Sequence, residues 1–102
     1  SLHAQAPMQP IRVGGQIRPP KKTRHVAPVC PAGVVTQDTV VIVQSTIGPD
    51  GTVTDARILK GPETLAGAAL DAVRQWEFTP TQLNGQPIEV TMVVAVNFTV
   101  GR

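Results

Sequence analysis

Strict alternation near the C-terminus is the feature that most constrains the fold. Over residues 88–99 every second side chain is apolar, and the positions between them are mixed. The apolar row consists of Ile88, Val90, Met92, Val94, Val96 and Phe98. Because successive side chains of a strand point to opposite faces of a sheet, this period predicts one long β-strand. We therefore expect residues 88–99 to form a single strand with an apolar core face.

Two apolar runs upstream, joined by turn residues, predict a β-hairpin. Residues 40–47 are β-branched and aliphatic, which favours a strand. In the following Gly-Pro-Asp-Gly turn, Pro49 presets φ and Gly51 tolerates positive φ. The returning run, residues 52–60, does not alternate strictly, so we expect a β-bulge in this hairpin.

A helix is expected between the hairpin and the last strand. Proline is tolerated in a first helical turn, and Glu63 suits the positive end of the helix dipole. Along residues 63–76 apolar side chains recur at spacings of three and four: Leu65, Ala69, Ala72, Val73 and Trp76. These elements predict an α+β domain, a small antiparallel sheet of about three strands with one or two helices packed on one face.

The N-terminal third differs in composition from the rest. Residues 1–37 hold five basic and no acidic side chains, whereas residues 38–102 hold four basic and seven acidic ones. Six of the ten prolines lie in the first 31 residues, which favours an extended backbone. We expect residues 1–27 to be a Pro-rich basic linker and residues 28–102 to be the domain. Ile11, Val13 and Ile17 are expected to form a short strand or to dock on the domain.

No motif in the chain points to catalysis, to a cofactor or to a metal. Walker and dinucleotide-binding loops are absent, and no histidine lies in the predicted domain to activate Ser45. His3, His25 and Cys30 match no zinc spacing. We therefore expect a protein that is not an enzyme. Since no apolar run is long enough to span a membrane and no signal peptide is visible, any anchor is expected outside this sequence.

Three side chains that could react or bind a ligand are expected to have structural roles instead. The single cysteine, Cys30, rules out an internal disulfide and is expected to be a small buried side chain, with pairing between chains as the alternative. Trp76 and Phe78 end the amphipathic face and are expected in the core, not on a nucleic-acid stacking surface.

A three-stranded sheet leaves two edges, and a long regular edge strand is a liability unless it is used. The edge is therefore a candidate site for strand addition by a peptide. The order of the elements also resembles the C-terminal domain of TonB proteins over residues 26–99. The residues that carry the resemblance include the turn at 48–51, Ala68-Ala69-Leu70, Trp76-Glu77-Phe78-Thr79-Pro80, Asn84-Gly85 and the last strand.

The resemblance implies a periplasmic domain of an energy transducer that is anchored in the inner membrane. Such domains dock on TonB-dependent outer-membrane transporters and transmit energy from the proton-motive force. It implies inner-membrane proton-channel partners, which the transducer reaches through its N-terminal anchor. Two alternatives stay open: an assembly module that uses the same edge for homodimerisation, and a regulatory domain appended to an enzyme. Nucleic acid is not an expected partner, because only Arg18, Lys21, Lys22 and Arg24 point to it.

In this family a short receptor segment, the TonB box, pairs with the last strand of the sheet. By position, the resemblance implies a partner-binding strand composed of Val90, Thr91, Met92, Val93, Val94, Ala95, Val96, Asn97 and Phe98. It implies a second contact at Pro28, Val29 and Cys30. The family usually has tyrosine where this chain has Cys30, and residues 32–39 are poor helix formers, so the first family helix is expected to be truncated or lost.

Overall fold

The described residues form one main sheet with a single helix on one of its faces. The computed structural model describes residues 11–12, 18–30, 33 and 37–100. The strands of the main sheet are β1 (Ile11–Arg12), β3 (Thr39–Ile47), β4 (Val53–Lys60) and β8 (Val90–Phe98), in the spatial order β1-β8-β3-β4. Strand β3 pairs antiparallel with both β4 and β8, and β1 adds to β8 in parallel. The predicted α+β class is confirmed.

Two smaller sheets flank the main one. Strand β2 (Lys22–Arg24) pairs antiparallel with β5 (Glu77–Phe78), and β6 (Thr81–Leu83) pairs antiparallel with β7 (Gln86–Ile88). Neither small sheet was predicted. Of the segment expected to form a short strand, Ile11 lies in β1, whereas Val13 and Ile17 lie outside the described residues.

The single long strand predicted for residues 88–99 is wrong at its start. Ile88 belongs to β7, Glu89 lies outside the strands, and β8 begins at Val90. The cause is the turn at Asn84-Gly85, where φ is 53° and 78°. These left-handed residues suit a tight hairpin turn, which folds β7 back onto β6. The alternation of apolar residues therefore runs on across Glu89, so the sequence pattern does not show that β7 and β8 are separate strands.

The β3–β4 hairpin has the predicted irregularity. Its register shifts between Ile42 and Val43 and again between Thr46 and Ile47. In the connecting turn, the backbone N–H of Gly51 donates to the carbonyl of Gly48 at 2.9 Å. The predicted bulge is confirmed, and the turn lies where the Gly-Pro-Asp-Gly sequence placed it.

Helix α1 (Glu63–Val73) packs on β3 and β4 and closes the core. It ends at Val73, and a turn at residues 74–75 separates it from Trp76, yet all five predicted core positions of this stretch are buried. Phe78 is buried as well, so the structural reading of both aromatic residues is confirmed. No helix in the described ranges is both long and apolar enough to cross a membrane.

Asp50 makes the hairpin turn sensitive to acid. Its carboxylate accepts hydrogen bonds from the backbone N–H of Thr52 at 3.0 Å and from the Thr52 hydroxyl at 2.7 Å. These bonds, the backbone one first, lower the pKa of Asp50 below its ordinary value of 3.8. Because the folded-state pKa is depressed, the stabilisation is present above the unfolded pKa and is lost as pH falls through the folded pKa.

We therefore expect Asp50→Asn to destabilise the domain near neutral pH and to matter less in acid. Urea unfolding of both proteins near pH 7 and at about pH 2.5 measures this difference, because the ordinary carboxyl pKa lies between these values. A gap between the two proteins that stays constant over this range would show that the charge of Asp50 does not stabilise the turn.

Candidate functional site

The outer side of β8 beyond Thr91 pairs with no strand among the described residues. On its inner side β8 pairs with β3 along its whole length, from Ile47↔Val90 to Thr39↔Phe98. On its outer side the described pairs of β8 are those with β1, Ile11↔Val90 and Arg12↔Thr91. Residues 92–98 therefore have no strand from the described part of the chain on their outer side, and we call this side the β8 edge.

The β8 edge presents backbone hydrogen-bonding groups in a regular row. In an antiparallel ladder, alternate residues direct their N–H and C=O groups toward the neighbouring strand, and the residues between them direct theirs away. Strand β3 uses the inward set without any register shift along β8. The outward set at residues 92–98 is therefore available to an added strand, which would leave the ladder to β3 intact.

Apolar side chains border the central part of the β8 edge on both faces of the sheet. On the core face Met92 and Val94 are only half-buried, although they belong to the apolar row. On the open face Val93 is 52% exposed and Ala95 is also exposed. An added strand would remove this surface from water, which contributes about 25 cal/mol for each Å² of apolar area.

Side-chain hydrogen bonds fix β8 in its place. The hydroxyl of the fully buried Ser45 donates to the carbonyl of Met92 at 2.8 Å. Just beyond the end of β8, the backbone N–H of Val100 donates to Oδ1 of Asp38 at 3.0 Å. The strand is thus ordered before any partner arrives, and this preorganisation reduces the entropy cost of binding.

The opposite edge of the sheet, β4, is protected against strand addition. Its ladder with β3 shifts register twice. Three charged side chains on this strand are exposed: Asp55, Arg57 and Lys60. Bulges and charges of this kind discourage pairing at edge strands. The regular and apolar β8 edge is therefore the better site for a peptide.

Residues 28–30, the second contact that the resemblance implied, lie on a different element from β8. Val29 is 83% exposed and lines a groove of about 420 Å³ together with Gly67 and Ala68 of α1. Cys30 is exposed and free, so the expectation of a buried thiol is wrong. The reason is that this segment passes along the outside of α1 instead of entering the core. Residues 31, 32 and 34–36, where the first family helix would begin, lie outside the described residues.

Trp76 fastens the N-terminal part of the described chain to the domain. Its indole Nε1 donates to the carbonyl of Val26 at 2.8 Å. The ammonium of Lys22 lies 3.6 Å from the centre of the Trp76 ring, and the His25 ring centre lies 5.1 Å from it. Lys22 Nζ is also 2.9 Å from Nδ1 of His25, to which it donates. Desolvation in this cluster lowers the pKa of Lys22.

A short ladder continues this attachment. The backbone N–H of Thr79 donates to the carbonyl of Lys21 at 2.8 Å, and the Thr79 hydroxyl accepts from the N–H of Lys21 at 3.0 Å. Together with the β2–β5 pairing, these bonds hold residues 21–26 against residues 76–79. This attachment was not predicted from the sequence, because it joins positions about 50 residues apart.

We expect Trp76→Phe to destabilise the domain by about 1–3 kcal/mol, because the carbonyl of Val26 loses its donor and the smaller ring fills less space. Urea unfolding followed by far-UV circular dichroism measures the change. An unfolding free energy within about 0.5 kcal/mol of the parent would mean that this hydrogen bond does not hold the segment.

Comparison with known proteins addresses the region that contains the β8 edge. The family described as Gram-negative bacterial TonB protein C-terminal matches residues 35–100. The matched range includes β3, β4, α1 and all of β8. A comparison with curated proteins gives no match.

Proposed function

The chain belongs to the family of TonB C-terminal domains, and on that premise we propose that its β8 edge binds a short transporter segment as an added strand. Domains of this family are periplasmic, are not enzymes, and interact with outer-membrane transporters. The proposal assigns that interaction here to residues 92–98. It treats the exposed Val29 and Cys30, beside α1, as a secondary contact.

The contrast between the two sides of β8 carries the proposal. Its inner side is paired with β3 over the full strand, so the strand is rigid and its position is fixed. Its outer side offers free backbone groups over residues 92–98, with apolar side chains on both faces. Main-chain hydrogen bonds would supply the affinity, and the rows containing Val93 and Val94 would select β-branched side chains in the partner.

In this proposal, energy passes between two attachment points, the transporter segment on β8 and the N-terminal chain held by Trp76 and β5. The proposal places the transporter segment on β8 and the rest of the transducer before the described N-terminal residues. An inner-membrane anchor with its proton-channel partners would act through residues 18–26, which are held by Trp76 and β5. The domain would thus connect the energy source to the transporter through its core.

The test is an NMR titration of the labelled protein with a synthetic peptide of about seven residues, Glu-Thr-Val-Val-Val-Thr-Ala. We expect the largest amide shifts in residues 92–98 and smaller ones in the neighbouring β3. The matched control is the same peptide with alternate backbone nitrogens methylated, which removes its donors on one side without changing its side chains. Equal binding of the two peptides would contradict recognition by strand addition.

Homodimerisation is the competing use of the same edge. Val93, at 52% exposure, lies on the open face of β8 and would lie beside the edge strand of the second copy in such a dimer. Light scattering during the titration separates the two uses. A monomer whose β8 amides respond to the peptide supports transporter binding, and a dimer that does not respond supports assembly.

A further inference from the structure

The N-terminal strand β1 lies on the same side of β8 as the proposed transporter segment. Ile11 is registered with Val90 and Arg12 with Thr91, in parallel orientation. The β8 strand thus already accepts one added strand, which comes from its own chain. Among the described residues, the outer side of residues 90–91 is paired with β1, whereas no strand pairs with the outer side of residues 92–98.

Side chains on the open face of β8 are buried where β1 pairs with the strand and exposed beyond it. Thr91, opposite β1, is 8% exposed. The next three residues of the same row, Val93, Ala95 and Asn97, are all exposed. Since these residues alternate along one face of one strand, the change from buried to exposed coincides with the end of the β1 pairing.

The chain is described again from Arg18, at a second place on the domain. The next described residues, Arg18 to Lys21, lie beside Thr79 and Thr81, and the backbone of Lys21 bonds to Thr79. Strand β1 is therefore tethered to the domain by a second attachment, the hydrogen bonds between Lys21 and Thr79. A segment tethered in this way competes at a high effective concentration.

We propose that the segment containing Ile11–Arg12 is an internal competitor for the outer side of β8. The inference rests on the proposed function, because it concerns regulation of the same edge. While β1 is paired, a transporter segment reaches only residues 92–98, and pairing with all of β8 requires β1 to leave. Two registered residue pairs make a weak competitor, which a longer segment displaces at a modest loss of apparent affinity.

The experiment uses two variants of the full chain, both carrying Cys30→Ser so that no third thiol interferes. The locked variant carries Arg12→Cys and Thr91→Cys, whose positions are direct partners across the β1–β8 pair. Oxidation fixes β1 on the edge, and reduction releases it, so the reduced protein is the matched control for folding. The open variant carries Ile11→Pro and Arg12→Pro, which remove both backbone donors of β1.

Titration with the Glu-Thr-Val-Val-Val-Thr-Ala peptide compares the affinities. We expect binding to the oxidised locked variant to be weaker than to its reduced form by about tenfold, and binding to the open variant to be tighter than to the parent carrying Cys30→Ser alone by about threefold. Equal affinity of the oxidised and reduced forms, together with an unchanged affinity of the open variant, would overturn the inference.

A second probe separates failure of this inference from failure of the proposed function. It is a peptide copying residues 8–16 of the chain, added to the open variant. Amide shifts at Val90 and Thr91 would support the internal competitor even if the transporter-like peptide bound to none of the proteins. Absence of these shifts, with unchanged amide exchange of Val90 and Thr91 between the parent and the open variant, would overturn it.

Discussion

Proline substitution along β8 is expected to separate partner binding from folding at neighbouring positions. Adjacent residues of β8 direct their N–H groups to opposite sides, one toward β3 and the next toward the outer edge. Proline at an inward position removes a ladder bond to β3 and destabilises the sheet. Proline at an outward position removes only a donor that a partner needs. We expect Val94 and Val96 to fall in one class and Val93 and Ala95 in the other.

For the outward class we expect the affinity for the transporter-like peptide to fall at least about tenfold, which corresponds to about 1.4 kcal/mol. Circular dichroism and urea unfolding assign each variant to a class before its binding is measured. Ala95→Ser is the control, because it alters an exposed side chain and keeps the backbone N–H. If a well-folded proline variant at each of Val94 and Ala95 bound the peptide like the parent, the partner would have to bind elsewhere.

Gly51→Ala is expected to destabilise the domain by about 3 kcal/mol or more. Gly51 has a φ of +90°, which an alanine rarely adopts, and a Cβ atom at this position would lie 2.0 Å from the carbonyl oxygen of Phe78. The clashing atom belongs to the backbone of Phe78. Because the N–H of Phe78 also donates to the Gly51 carbonyl at 2.8 Å, the two backbone segments cannot move apart without losing this hydrogen bond. A loss of this size is a large part of the 5–15 kcal/mol that stabilises a typical domain.

Gly85→Ala provides the matched control for this substitution. Its φ is +78°, similar to that of Gly51, but no atom lies within 4 Å of the added methyl group. We expect it to cost about 1 kcal/mol, from backbone strain alone. Urea midpoints of the three proteins measure the difference. Equal losses at the two glycines would show that the approach of Phe78 to Gly51 contributes nothing to the effect.

The main elements were predictable because each depends on its own local pattern. Alternation identified β8, a β-branched run with turn residues identified β3 and β4, and the spacing of Leu65, Ala69 and Val73 identified α1. The boundary at Glu89 was missed for the same reason. A local period records only which face is apolar, and the folding back of β7 depends on the turn at Asn84.

The features that joined distant parts of the chain were not predictable in this way. The bond from Trp76 to Val26 spans 50 residues, and no pattern around either residue signals it. A short strand around Ile11 was predictable, but its partner was not, since any sheet edge offers the same backbone groups. The candidate edge was predicted from the number of strands and from the resemblance. That β1 pairs with part of this edge is seen only in the strand order of the sheet.

The attachment of residues 21–26 also sets the order in which this domain would yield under tension. A load applied between residues 21–26 and β8 is carried by the two registered pairs of β2–β5, the Lys21–Thr79 bonds and the Trp76–Val26 bond, whereas the β3–β8 ladder shares it over nine pairs. The shorter set would give way first. The 14 residues between β2 and β3 have a fully extended length of at most about 50 Å, so the chain could lengthen here while the sheet stays intact. The domain would lengthen under load and keep its hold on a strand bound to β8.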